Sequence, residues 1–104
     1  MRLSHTAALI LKTLSQGYSY GFDVMEVTGL ASGTVYPALR RMENDSLIEG
    51  VWESEAKALR DERPARRYYK VTRAGKQALT EAEKKYPLIA SFVPAREPAK
   101  AAKA

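Results

Sequence analysis

Apolar residues recur every three or four positions through the first part of the chain, and then the period shortens to two. Leu3, Ala7, Ile10, Leu11 and Leu14 form one stripe at helical spacing, which predicts a helix over residues 4–16. Ser4 suits its N-cap, and Gly17 stands where a left-handed residue ends a helix. A short second helix is expected over residues 20–28, between Ser19 as N-cap and Gly29 as C-cap, with Tyr20, Val24, Val27 and Phe22 turned towards the first. The third, over residues 32–45, buries Val35, Ala38, Leu39 and Met42, and its stripe runs on into Leu47 and Ile48. Its opposite face carries Thr34, Tyr36, Pro37, Arg40 and Arg41. Only Gly29, Leu30 and Ala31 separate helices two and three, and a tight glycine-bearing turn between two helices is the helix-turn-helix signature.

Residues 48–53 and 67–72 are rich in β-branched and aromatic side chains, as strands are. The stretch between them, residues 54–66, is charged, holds Pro64 and is expected to be a loop. Two strands around a basic loop after a helix-turn-helix make a winged helix. A last helix opens after Thr72 as N-cap, with Ala74, Ala78, Leu79, Ala82 and Tyr86 at helical spacing, and Pro87 must end or kink it. The expected fold class is α+β, mainly α: a winged helix-turn-helix over residues 1–75, a C-terminal dimerisation helix over 76–93 and a disordered tail over 94–104. Leu3 and Leu9 exceed the needs of one stripe, and a lone winged helix is expected to have too little core for them and for Ala78, Leu79, Ala82, Tyr86 and Ile89. These seven are therefore assigned to a homodimer interface.

The 104 residues suit one domain, and an apolar fraction of 45% is ordinary for a globular chain. The longest apolar run, residues 7–11, cannot span a membrane, and no secretory leader pattern opens the chain, so a cytoplasmic location is expected. Absence of cysteine excludes disulfides, thiolate metal sites and thiol nucleophiles. His5, the only histidine, has no ligand partners at metal spacing. No nucleophile–base pair or glycine-rich phosphate loop appears either, so an enzyme, a metal site and a cofactor are not expected. The charge is uneven. Residues 1–52 carry a net −1, whereas residues 53–75 and 76–104 each carry +3. A basic excess placed at the wing and beyond is the footprint expected for a polyanion.

Tyr20-Gly21, then the run from Gly33 to Glu43 (GTVYPALRRME) and Leu47-Ile48, resemble the DNA-binding domain of PadR-family transcription regulators. The run from Arg66 to Gly75 (RRYYKVTRAG) is similar to that family's second wing strand and following helix. The resemblance covers about residues 5–80. The chain departs from it in a shorter connection between helices two and three and in Ala31, where a capping serine is usual. It also has a wing longer by several residues, and a C-terminal region of one helix, like the short branch of the family.

The start of the third helix is expected in the major groove, where free N–H groups and a partial positive charge favour phosphate. Ser32, Gly33 and Thr34 allow close approach, Tyr36 is the expected aromatic contact, and Pro37 can offer its ring to a thymine methyl. Arg40 can reach a phosphate or a guanine edge; Arg41 either does the same or pairs with Glu43 or Asp45. Packing against the wing is the alternative for Tyr36. In the wing Arg60, Arg63, Arg66 and Arg67 are the expected contacts, with a self-neutralised loop as the alternative. Trp52 is expected to cover the core, or else to stack on a ligand, since the resembled family includes drug and phenolic sensors. One of Tyr68 and Tyr69 should face the core.

These readings converge on a homodimeric repressor that binds double-stranded DNA at a palindromic operator. A winged-helix module that binds a protein and reads no DNA is the competing reading. A chemical-sensing dimer with a pocket between helices is an addition to the first, and no residue names a small-molecule effector.

Overall fold

The structure, a computed structural model, describes residues 3–92. Helix α1 (His5–Ser15) opens on Ser4, whose hydroxyl accepts the Ala7 N–H at 3.1 Å. Six of its eleven residues are buried, among them Thr13, whose hydroxyl donates to the Leu9 carbonyl at 2.8 Å and so enters the core without an unsatisfied group. Helix α2 (Gly21–Thr28) ends as expected on Gly29, at φ +75°. Its start differs. Tyr20 holds the cap position with no side-chain bond, and the Ser19 hydroxyl donates back to the Gly17 carbonyl instead. Phe22 points out, while Val24 is fully buried.

Helix α3 (Ser32–Asn44) buries Val35, Ala38, Leu39 and Met42, the four residues its spacing predicts. Strands β1 (Ile48–Trp52) and β2 (Arg67–Val71) pair antiparallel, with Ile48 opposite Val71 and Trp52 opposite Arg67. Ile48 and Val71 sit at the core end of the hairpin, so the sheet rises out of the domain as it runs towards Trp52. The segment between the strands is not an open loop. It holds a helix, α4 (Glu55–Arg60), capped by Ser54, whose hydroxyl accepts the Lys57 N–H, and fastened by a Lys57–Asp61 ion pair at 3.1 Å. Helix formers (Glu-Ala-Lys-Ala-Leu-Arg) behind a serine cap outweigh the charge density that suggests a loop.

Helix α5 (Arg73–Lys85) is capped by Thr72, and the chain breaks at Tyr86-Pro87 before a single turn, α6 (Ile89–Phe92). The start of α5 lies so close to the α3–β1 connection that a Cβ at Gly75 would collide with the Leu47 carbonyl.

The C-terminal helices overturn one sequence expectation. A single chain does bury both apolar sets, because α5 and α6 lie on their own α1. Leu79, Ala82 and Ile89 are buried in that seam, Leu3 is buried in the same core on the side of α3, and Leu9, Ala78 and Tyr86 are half-buried. A Lys12–Glu83 ion pair at 3.0 Å and an edge-on contact of His5 with Tyr86 (4.9 Å between centroids) close its margins. The seam assigned to two subunits is therefore filled within one, and α5 shares one core with the winged helix. The tail expected over 94–104 lies outside the described residues. Among the described residues no helix is long and apolar enough to cross a membrane.

Candidate nucleic-acid interface

The exposed face of α3 presents Ser32, Gly33, Thr34, Pro37, Arg40 and Arg41 to solvent, and Tyr36 is 42% exposed. Ala31 holds the N-cap position and supplies no acceptor, Ser32 does not replace it, and the first turn has no acidic residue. The amides of Ser32 and Gly33 are thus left without a capping side chain, which suits a phosphate oxygen. Pro37 is accommodated inside the helix, and its missing N–H leaves the exposed Gly33 carbonyl without an in-helix donor. Tyr36 packs on α2: its ring lies over Gly21, where a Cβ would fall within it. Arg41 pairs with neither Glu43 nor Asp45, and no described carboxylate takes Arg40.

The wing is organised around Glu53, whose side chain is 3% exposed. Its two oxygens accept both Arg63 Nη groups at 2.6 and 2.9 Å, the Tyr68 hydroxyl at 3.1 Å and, more weakly, the Arg66 N–H at 3.4 Å. The Arg63 hydrogen bonds hold the Glu53 carboxyl down to about 2, against burial, which acts in the opposite direction. The same bonds raise the Arg63 guanidinium above its already high ordinary value. Lys57, hydrogen-bonded to Asp61, keeps that carboxyl below its usual range.

The four wing arginines consequently have different roles. Arg63 is bound to Glu53 and Asp61. Arg67 reaches back across β1 to Glu43 of α3 at 2.5 Å, over Gly50, where a Cβ would stand 2.6 Å from the guanidinium. Arg66 lies 4.2 Å from the centroid of the Tyr20 ring, and no described carboxylate pairs with it. Arg60 ends α4 and is exposed. The wing and the exposed face of α3 are thus joined by the Arg67–Glu43 pair into one surface.

Residues 10–81 match the transcriptional regulator PadR-like family. The chain belongs to that family. Among solved structures it is similar to a PadR family transcription regulator from hypervirulent Clostridium difficile, at 27% identity over 85% of this chain and 93% of that one, with a TM-score of 0.69. A PadR-like transcriptional regulator from Bacillus cereus is 27% identical over 82% and 84% of the two chains, with a TM-score of 0.62. The circadian clock associated protein Pex from Anabaena is 25% identical over 88% and 86%, with a TM-score of 0.56. A comparison with curated proteins found no match.

Within this PadR-like fold one expectation fails. Trp52 does not cover the core; it is 64% exposed at the outer end of β1, with Arg67 5.3 Å from its centroid. Of the two tyrosines, Tyr69 is the one that packs on the core, half-buried, and burial, with help from Glu43, pushes its phenol up; the Tyr68 hydroxyl serves Glu53 in the wing. Sequence reasoning also missed Glu53 and Gly21. The capping serine and helix formers of residues 54–60 could have revealed α4, but nothing local marks Glu53 as the acceptor for Arg63. Among the described residues no three His, Asp or Glu side chains cluster as metal ligands would.

Proposed function

We propose that this PadR-like protein is a homodimeric repressor that reads a palindromic operator through α3 and the wing. The observation that carries the reading is the face of α3: an uncapped N-terminus beside exposed Thr34, Arg40 and Arg41, with no described carboxylate neutralising either arginine. Ser32, Gly33 and Thr34 approach the backbone, Tyr36, Pro37 and Arg40 meet base edges, and Arg41, Arg60 and Arg66 meet phosphates. Arg63 and Arg67 hold the wing in place. The surface for a second copy is Leu88, 77% exposed beside α6, together with the outer edges of Leu9, Ala78 and Tyr86. A two-fold axis there sets two copies of α3 on half-sites about 10 bp apart, or a multiple of that.

The test is footprinting and gel-shift titration on the DNA upstream of the protein's own gene. A protected inverted repeat is expected, with Tyr36→Ala and Arg40→Ala each costing ~1–3 kcal/mol in operator affinity while circular dichroism is unchanged. Full affinity in both variants removes α3 from the interface, and sedimentation as a monomer at micromolar concentration removes the dimer.

A further inference from the structure

Three large aromatic side chains are left out of the core: Trp52, Phe22 and Tyr36, at 64%, 56% and 42% exposure. They are gathered rather than scattered. All three, with Tyr20, border one recess of about 630 Å³ between the start of α2, the exposed side of α3 and the base of the wing. That volume lies within the roughly 300–1,000 Å³ range of ligand pockets. Large apolar groups exposed together on a small domain mark a binding surface.

The charges of the recess narrow what it binds. Arg63, Arg66 and Arg67 are the cations at its edge; Arg63 is held by Glu53 and Asp61, and the other two are each laid against a ring, Arg66 on Tyr20 at 4.2 Å and Arg67 on Trp52 at 5.3 Å. Arg67 is already neutralised by Glu43, whereas no described carboxylate takes Arg66. The surrounding stretch, residues 53–75, carries a net +3. An occupant therefore has flat rings and negative charge.

Duplex DNA does not fit that description, because its base faces are stacked inside and only edges and phosphates are offered. An unpaired strand exposes both. Aromatic platforms interleaved with arginine along a basic surface are how single strands are held without sequence preference.

We infer that this recess binds single-stranded nucleic acid, its bases stacking on Trp52 and Phe22 and a phosphate meeting Arg66. The activity differs from duplex reading by α3 in resting on Trp52 and Phe22, which duplex reading does not use, while Arg66 and Tyr36 lie on both surfaces.

Trp52 is the only tryptophan, so its fluorescence reports on the recess directly. The full chain is titrated with an oligothymidylate of about eight nucleotides, within the usual span of such sites. Saturable quenching is expected. Phe22→Ala should weaken that binding roughly five- to a hundredfold, the range for loss of one stacking partner, and leave affinity for a duplex of the same length unchanged. Trp52→Ala, followed by anisotropy of a labelled oligothymidylate, should lose a similar factor. Both side chains are exposed, and circular dichroism confirms folding. The inference is overturned if oligothymidylate does not quench, or if heparin, a polyanion without bases, quenches as strongly. It is also overturned if Phe22→Ala weakens duplex and single strand alike. Failure of the duplex reading appears instead as loss of the footprint, which leaves the oligothymidylate result standing.

Discussion

Replacing Leu79 by alanine separates a seam inside one chain from a seam between two. Leu79 is 7% exposed and lies in the core that joins α5 to α1. The change removes three carbons, about 2.5 kcal/mol of transfer free energy at ~0.8 kcal/mol for each methylene. The core around it cannot fully close the gap: its members Ile10, Leu11 and Ile89 are themselves at most 2% exposed, and a residual cavity brings the cost to about 3–4 kcal/mol. A domain of this size has roughly 5–15 kcal/mol to lose. The melting temperature should therefore fall by about 12–30 °C, at ~4–8 °C for each kcal/mol. Thermal melts and urea titrations followed by circular dichroism measure this, repeated over a hundredfold range of protein concentration. If the seam is internal, the stability lost is the same at every concentration, since mass action enters only where subunits separate. The reasoning is refuted if the variant keeps the wild-type melting temperature and changes only from dimer to folded monomer.

Gly75→Ala should destabilise the fold by ~1–3 kcal/mol, because its Cβ meets the Leu47 carbonyl, a backbone atom that cannot turn aside; an unchanged urea midpoint would refute the close approach. Glu53, held near 2 against an ordinary value of 4.5, binds fewer protons folded than unfolded between those limits. Its contribution is complete above about pH 4.5 and is lost as pH falls towards 2, so wild-type urea midpoints should drop over that window and Glu53→Gln should flatten the drop. If Arg60 and Arg66 meet phosphates, replacing both with glutamine should reduce the slope of log affinity against log salt by up to ~0.9 for each contact. Arg63→Gln should instead lower the urea midpoint, because Arg63 serves Glu53.

The order of elements, α4 and the closing turn α6 apart, was legible because each has a local cause: stripes at helical period, hydroxyl caps at Ser4 and Thr72, a left-handed glycine at 29. The exposed face of α3 was legible too, as the complement of Val35, Ala38, Leu39 and Met42. What escaped depends on distance in the chain. Apolar spacing shows that Leu79 and Ile89 need a partner surface, and it cannot distinguish the chain's own α1 from another copy's. Trp52 was misplaced because its environment is set by register: opposite Arg67, at the far end of the hairpin from Ile48 and Val71, it stands outside the core. Glu53 looked like one acid among several until Arg63, Arg66 and Tyr68 met around it.

Gly50 carries a consequence of its own. It sits mid-strand without a positive φ, so neither a turn nor its backbone demands glycine there. The demand comes from Arg67, whose guanidinium passes over it on the way to Glu43. A methyl group at position 50 would not break the strand, since the arginine tip can swing aside. It would cut the strut between hairpin and reading helix. With the strut in place the two move as the jaws of a caliper set to one width; without it, each would settle on the DNA by itself.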